Sequence, residues 1–251
     1  MSKYVLRLGA IVLAGCILST ARADLVAHFT FDNASNLGEN TGSATTEWSS
    51  FVGATQTAGR FGNAVALTPA TLNIWDGDFG ADTGLNFSSF SVSMHVKGGI
   101  DDWTDYFALG TVANQFRIEQ TGAGSAAIYY TGTPGGSTAQ IVGSTNVIDG
   151  NWHHLGMVSD GSTLSLYIDG SRQGSAVAYA GSGTVTSIQL GNQLGGGRAS
   201  PATIDDVGIW NVALTSDQMA QLATNAIPEP ATFGIVLATL GAAVLRRRRF
   251  G

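Results

Sequence analysis

The chain contains one cysteine, Cys16, five prolines among 251 residues, and charge at only 12% of its positions. A lone cysteine excludes an intrachain disulfide, so the fold must be held by packing. So little charge and proline beside 44% apolar residues excludes a disordered chain and a long charged helix. Cations are scarcest where a partner would meet them. Of twelve Lys and Arg, Lys3, Arg7, Arg22 and Arg246 to Arg249 lie in the two ends, which leaves five against seventeen carboxylates between residues 24 and 226. A stretch this acidic repels phosphate backbones, and nucleic acid is excluded as a partner. Glutamate is nearly missing from the same stretch, with only Glu39, Glu47 and Glu119, while glycine is abundant at 34 residues in the chain.

The two ends read as addresses. Lys3 and Arg7 precede an apolar run from Leu8 to Leu18, then Ala21-Arg22-Ala23, which is the order of a secretory signal cleaved before Asp24. About eleven apolar residues rise only ~17 Å, too short to span a bilayer. Leu13-Ala14-Gly15-Cys16 leaves open the alternative that Cys16 is lipidated instead of being removed with the signal. At the other end, Pro228-Glu229-Pro230 is followed by fifteen uncharged residues, Ala231 to Leu245, and then by Arg246-Arg247-Arg248-Arg249. Fifteen residues rise about 22 Å against a ~30 Å hydrocarbon core, a marginal span completed by snorkelling arginines, with the basic end cytoplasmic. Motif, apolar segment and basic cluster closely resemble the PEP-CTERM sorting signal of exported bacterial proteins. That resemblance implies recognition by an exosortase-type membrane protease, a transient anchor in the cytoplasmic membrane, and delivery to the cell envelope or extracellular matrix.

Between these ends, residues 24–226 form one domain. Short alternating apolar runs are separated by Gly, Asn, Asp, Ser and Thr, which predicts strands over 25–31, 90–97, 106–110, 115–120, 126–130, 152–159, 163–169, 187–191 and 203–210. Asp160-Gly161 and Asp169-Gly170 carry turn chemistry that permits positive φ, so Trp152 to Ala178 reads as a three-stranded meander. One late helix is expected, with Thr215 as cap, Gln218 completing a capping box, and Met219 and Leu222 as its apolar face. The polar stretch 33–60 reads as a long loop. Many strands and one helix predict an all-β sandwich or barrel.

Six strings in order resemble a known family. They are His28-Phe29-Thr30-Phe31-Asp32; Gly59-Arg60-Phe61-Gly62-Asn63-Ala64; Phe90 to Lys97; Asn151-Trp152-His153-His154-Leu155; Leu166-Tyr167-Ile168-Asp169-Gly170; and Ile204-Asp205-Asp206-Val207-Gly208-Ile209-Trp210 before Ala213-Leu214-Thr215. Together they are similar to the LamG-like, concanavalin A-like lectin/glucanase jelly-roll domains. The resemblance implies two packed antiparallel sheets, often with a structural calcium and often binding glycans or proteins. It also points to Asp32 and Asp205 as calcium ligands, since the matching positions often approach one another. The competing reading of these residues is an Asx-turn at Asp32 and a turn cap at Asp205. The chain departs from the family pattern at Gly208, where a larger residue is usual.

Catalysis finds little support in the residues. A retaining glycosidase needs two carboxyl groups about 5 Å apart, and no predicted strand places acidic residues two apart. Asp76 and Asp78 have that spacing in a Gly-rich segment that reads as a loop, and Asp101, Asp102 and Asp105 surround Trp103 in a turn-like setting. Adjacent His153 and His154 point to opposite faces of a strand and do not share an ion. No Gly-x-Ser-x-Gly elbow occurs, and Gly195-Gly196-Gly197 lacks the lysine of a phosphate loop. Trp75 and Trp103, both in Gly/Asp-rich segments, are the candidates for stacking on sugar rings, whereas Trp152 and Trp210 read as core. The expectation is an exported, non-catalytic domain that binds carbohydrate in the extracellular matrix. The alternatives are a protein-adhesion or matrix-packing module and, third, a glycoside hydrolase.

Overall fold

The computed structural model describes residues 25–228, apart from 46, 49–52, 68–73, 77–83, 101, 132–137 and 180–184. The signal segment, residues 229–251 with most of the sorting motif, Asp78 and Asp101 lie outside the described residues. Among the described residues no helix is long and apolar enough to cross a membrane.

Fourteen strands pair antiparallel into two sheets. They are β1 Leu25–Phe29, β2 Thr55–Ala58, β3 Asn63–Ala66, β4 Ile74–Asp76, β5 Phe90–Lys97, β6 Thr104–Gly110, β7 Gln115–Gln120, β8 Ser125–Thr131, β9 Thr138–Asn146, β10 Trp152–Ser159, β11 Thr163–Ile168, β12 Ser171–Ala178, β13 Ser187–Leu190 and β14 Thr203–Trp210. The first sheet runs β12-β11-β10-β5-β14-β3-β2, with β1 paired to the second half of β14. The second runs β4-β13-β6-β7-β8-β9. The result is the expected all-β, two-sheet sandwich, consistent with a jelly roll.

Alternation decides which residues lie between the sheets. Val92, Met94 and Val96 of β5 meet Phe107 and Leu109 of β6 and Phe116 and Ile118 of β7 in one continuous core. Phe116 stands edge-on to Phe87, Phe90 and Tyr179, with ring centroids 4.8–5.2 Å apart, a geometry that matches ring edges to ring faces. The meander is present as β10, β11 and β12, and its tight turn has Asp169 and Gly170 at φ 49° and 75°. Two regions depart from expectation. The stretch 33–60 contains β2, whose sequence Thr-Gln-Thr-Ala has no apolar alternation because an edge strand this exposed buries no face. Strand β9 does alternate, but its buried positions are Ala139, Ile141 and Gly143, only one of them a large apolar residue, and Val142 on the exposed face blurs the pattern.

Among the described residues one helix, α1 Ser216–Leu222, is present; Thr215 caps it, and both halves of the Thr215–Gln218 capping box are made. It lies on the outer face of the first sheet. There Leu25, Val158, Tyr167, Trp210, Leu214, Met219 and Ile227 form a second apolar cluster. Two glycines make this docking possible. A Cβ on Gly156 would collide with the Met219 side chain, and one on Gly208 with Trp210 and Ile227. The unusual glycine at 208 is thus explained by the segment packed over it.

Candidate functional site

Three groups of polar residues stand out, and each is assembled by strand register. The first holds the predicted pair, Asp32 and Asp205. Asp205 lies on β14 opposite His95, and its Oδ2 accepts hydrogen bonds from the backbone N–H groups of Arg60 and Phe61 at 2.7 and 2.8 Å. Asp32 Oδ1 accepts from Asn63 N–H at 2.7 Å. Both carboxylates therefore grip the turn between β2 and β3, one near each end. Burial raises the Asp205 carboxyl to about 7, against the pull of those N–H donors. Three backbone N–H groups thus take up Asp205 Oδ2 and Asp32 Oδ1, while Asp205 Oδ1 is buried without a hydrogen-bond partner among the described residues. Among the described residues no group of three His, Cys, Asp or Glu is placed to hold a metal ion.

A second group lies on the outer face of the first sheet, beneath α1 and residues 223–227. Ser93 Oγ and His154 Nε2 are 2.9 Å apart, and the His154 and His95 rings are 5.3 Å apart. Burial holds both imidazoles below the usual histidine range, His154 at about 3, and their proximity lowers His154 further. Asp206, in a bulge at φ 50°, contacts His28 Nε2 at 2.8 Å and accepts from Ile227 N–H at 3.0 Å. A serine and a histidine meet here, but Ser93 and His154 are both 1% exposed under the helix. The bonds to the C-terminal segment are made beside them, by His95 to Ala223 O and by Asp206 to Ile227 N–H. Neighbouring His153 points elsewhere, between Asp169 and Asp149 at 2.9 and 3.1 Å. The two histidines thus share no ion.

The third group was not legible in the sequence. On the outer face of the second sheet, register aligns Gln189 of β13, Ala108 of β6 and Arg117 of β7 in one row, and sets Asp105 opposite Glu119 in the next. Arg117 reaches Asp105 at 3.3 Å, Glu119 at 3.6 Å and Gln193 at 2.8 Å. Residues 191–198 cross above them. Asn192 Oδ1 accepts from Gln193 and Arg198 N–H groups, and Gly195, Gly196 and Gly197 all take positive φ. Arg198 Nη1 lies 3.5 Å from Glu119, with its guanidinium 5.8 Å from the centre of the Trp103 ring. Beneath this strap Gln189 is fully buried, and among the described residues neither of its side-chain amide atoms has a hydrogen-bond partner. The same holds for Asn192 Nδ2.

This arrangement corrects two expectations. Asp105 is a buried residue of β6 and not a solvated loop charge; desolvation pushes its carboxyl well above the usual range, Arg117 offsets part of that, and Glu119 adds to it. A carboxyl pair therefore does exist, formed across two strands. Asp105 and Glu119 are at most 1% exposed and face two guanidiniums, so the pair is closed off from solvent in this structure. Trp75 is on strand β4, not in a loop, at the register position of Ile188. It is not brought to Trp103, which precedes the opposite end of β6. Trp103 is 44% exposed, as a stacking residue must be. Trp210 is buried as expected, whereas Trp152 is only half-buried.

Comparison with known proteins agrees with this architecture. A family model described as the Concanavalin A-like lectin/glucanases superfamily matches residues 76–220. Among solved structures, domain 4 of an extracellular arabinanase from Geobacillus stearothermophilus, in complex with arabinotriose, is similar at TM-score 0.61 and 21% identity, covering 80% of this chain and 98% of that one. The binding domain of Paraclostridial Mosquitocidal Protein 1 matches at 0.56 and 14%, covering 81% and 52%. A carbohydrate-binding module of a Ruminococcus gnavus sialidase, bound to sialyllactose, matches at 0.52 and 12%, covering 67% and 98%. At these identities the likeness shows the fold. No curated protein matches the chain.

Proposed function

Because the chain belongs to the concanavalin A-like lectin/glucanases superfamily, we propose that it is a non-catalytic carbohydrate-binding domain that works outside the cell. The observation that carries this reading is the outer face of the second sheet. There an exposed indole, Trp103, stands beside the one-third-exposed side chain of Arg198, on a strap whose Asn192, with Gln189 beneath it, has buried amide atoms without a partner among the described residues. An indole offers a sugar ring a flat apolar surface, and the solvent-facing N–H groups of Arg198 offer hydrogen bonds to hydroxyls. Two of the similar folds, the arabinanase domain and the sialidase module, were solved with oligosaccharides bound, which supports the same reading.

Export follows from the sequence at the two ends. The signal segment sends the domain across the membrane, and residues 227–251 hand it to an exosortase-type protease for release to the envelope or matrix. Intact mass of the secreted protein tests this, and a mass that retains Arg246 to Arg249 refutes it. Calcium at Asp32 and Asp205 remains a proposal separate from sugar binding, decided by the chelator experiment described in the Discussion. A glycan array with affinity electrophoresis on plant and bacterial polysaccharides tests the binding function. Retardation by at least one polysaccharide is expected; no retardation by any of them refutes it.

A further inference from the structure

Between residues 24 and 226 the chain has only five cationic side chains, Arg60, Lys97, Arg117, Arg172 and Arg198, against seventeen carboxylates. Two of the five converge on the outer face of the second sheet, where they share the single carboxylate Glu119. Arg117 is spent within the protein, on Asp105, Glu119 and Gln193. Arg198 is not. Its contacts are a loose 3.5 Å approach of Nη1 to Glu119 and the Trp103 ring, and its side chain is one-third exposed. Its Nε and Nη2 groups have no protein acceptor among the described residues.

The buried floor adds a second, independent sign of a ligand. Gln189 beneath the strap that carries Arg198, and Asn192 within it, are both fully buried and leave amide groups unpaired among the described residues. Unpaired buried amides are costly unless something else meets them. A guanidinium edge with two free, roughly parallel N–H donors matches a carboxylate in two-point geometry, which a hydroxyl cannot reproduce. The many carboxylates elsewhere do not forbid an anion here. Carboxylates beyond about 8 Å are largely screened at physiological ionic strength, and of those in the cluster Glu119 is shared with Arg117 while burial holds Asp105 toward its neutral form.

Resting on the carbohydrate-binding reading above, we propose that this site selects an acidic saccharide, with a sugar carboxylate on the free edge of Arg198 and the sugar ring against the exposed part of Trp103. A uronic-acid polymer is the simplest ligand of this class, and its methyl ester is the matched neutral control.

Affinity electrophoresis and calorimetry of the exported chain with polygalacturonate, fully methyl-esterified polygalacturonate and neutral arabinan test the proposal. Polygalacturonate is expected to bind about tenfold or more tightly than its ester, the effect of one charge-assisted pair. Arg198→Gln should abolish that preference, and Arg198→Lys should restore only part of it. Equal binding of acid and ester, or binding of arabinan alone, overturns the acidic-sugar assignment but leaves carbohydrate binding standing. A preference for the acid that survives Arg198→Gln overturns the role of Arg198. Failure to bind all three overturns the acidic assignment, and only silence across the wider polysaccharide panel overturns carbohydrate binding as well.

Discussion

The two outer faces of the sandwich solve one problem in opposite ways. On each, strand alternation turns polar residues outward, and on each a later piece of chain crosses above them. Over the first sheet the covering piece is apolar: Leu214, Met219 and Ile227 fit against Gly156, Gly208 and Trp210, and the histidines below are buried in neutral form. Over the second sheet the covering piece is a glycine strap with almost no apolar weight. It closes on guanidinium and carboxyl groups and leaves an indole in solvent. Burial by hydrophobic contact makes the first face a structural seam. Burial by ion pairing with unfilled amides is what the proposed binding role of the second face rests on.

The largest way to break this contrast is to remove Arg117. Asp105 and Glu119 would then stay buried with Arg198 as their only cation. Arg117→Ala is expected to cost about 3–5 kcal/mol, the usual penalty for orphaning a buried charge. Chemical denaturation measures it, and a loss under 1 kcal/mol would mean that the cluster opens to water.

Asp205 sharpens the account of the first sheet. Asp205→Ala removes the acceptor of two backbone N–H groups and should cost roughly 2–4 kcal/mol. Asp205→Asn keeps an oxygen there and should recover most of that loss. Because burial raises this carboxyl to about 7, its contribution is fully present below its ordinary value of 3.8 and is lost as the pH rises toward 7. The Asn variant should therefore be relatively more stable at pH 8 than at pH 5. A melting temperature that falls in chelator, with the fall absent from both Asp32→Ala and Asp205→Ala, would instead establish the calcium site.

Acid distinguishes the faces through their titrating groups, because the described charged cluster of the second sheet includes no histidine. His154 and His95 are held below 6.5 by burial, so their contribution is present above pH 6.5 and is lost as the pH falls. By pH 5 the loss is about 2 kcal/mol for His154. Hydrogen exchange should show residues 211–227 opening first, and His154→Gln should flatten this acid limb. His153 works with the opposite sign. Burial opposes its charged form, but Asp169 and Asp149 outweigh that and raise it, so its smaller contribution holds below pH 6.5 and is lost as the pH rises through its folded value.

How much of this was legible in the sequence follows from how local each signal was. Strands at 90–97, 115–120, 152–159 and 203–210 were read to the residue because apolar alternation is a property of one strand. So was the Thr215–Gln218 capping box, which spans four residues. Trp103 was recognisable from its polar neighbours. The pairing of Asp105 with Glu119 was not, because it requires two strands, their register and a bulge between Asp105 and Phe107. Arg198 was hidden for a similar reason, since its role depends on where a glycine-rich loop lands. Asp32 and Asp205 were read as calcium ligands, and the backbone turn that both brace was not foreseen because it lies more than 140 residues before Asp205.

The central claim is that the second face binds and the first face only holds the fold together. Affinity electrophoresis of three proteins on a retarding polysaccharide tests it most directly: wild type, Trp103→Ala and Met219→Ala, each with its melting curve. Trp103→Ala should lose its retardation and melt near wild type, because the indole is 44% exposed. Met219→Ala, cutting into the seam, should melt lower and be retarded as wild type is while folded. Retardation unchanged in Trp103→Ala, or lost in folded Met219→Ala, would contradict the assignment of the two faces.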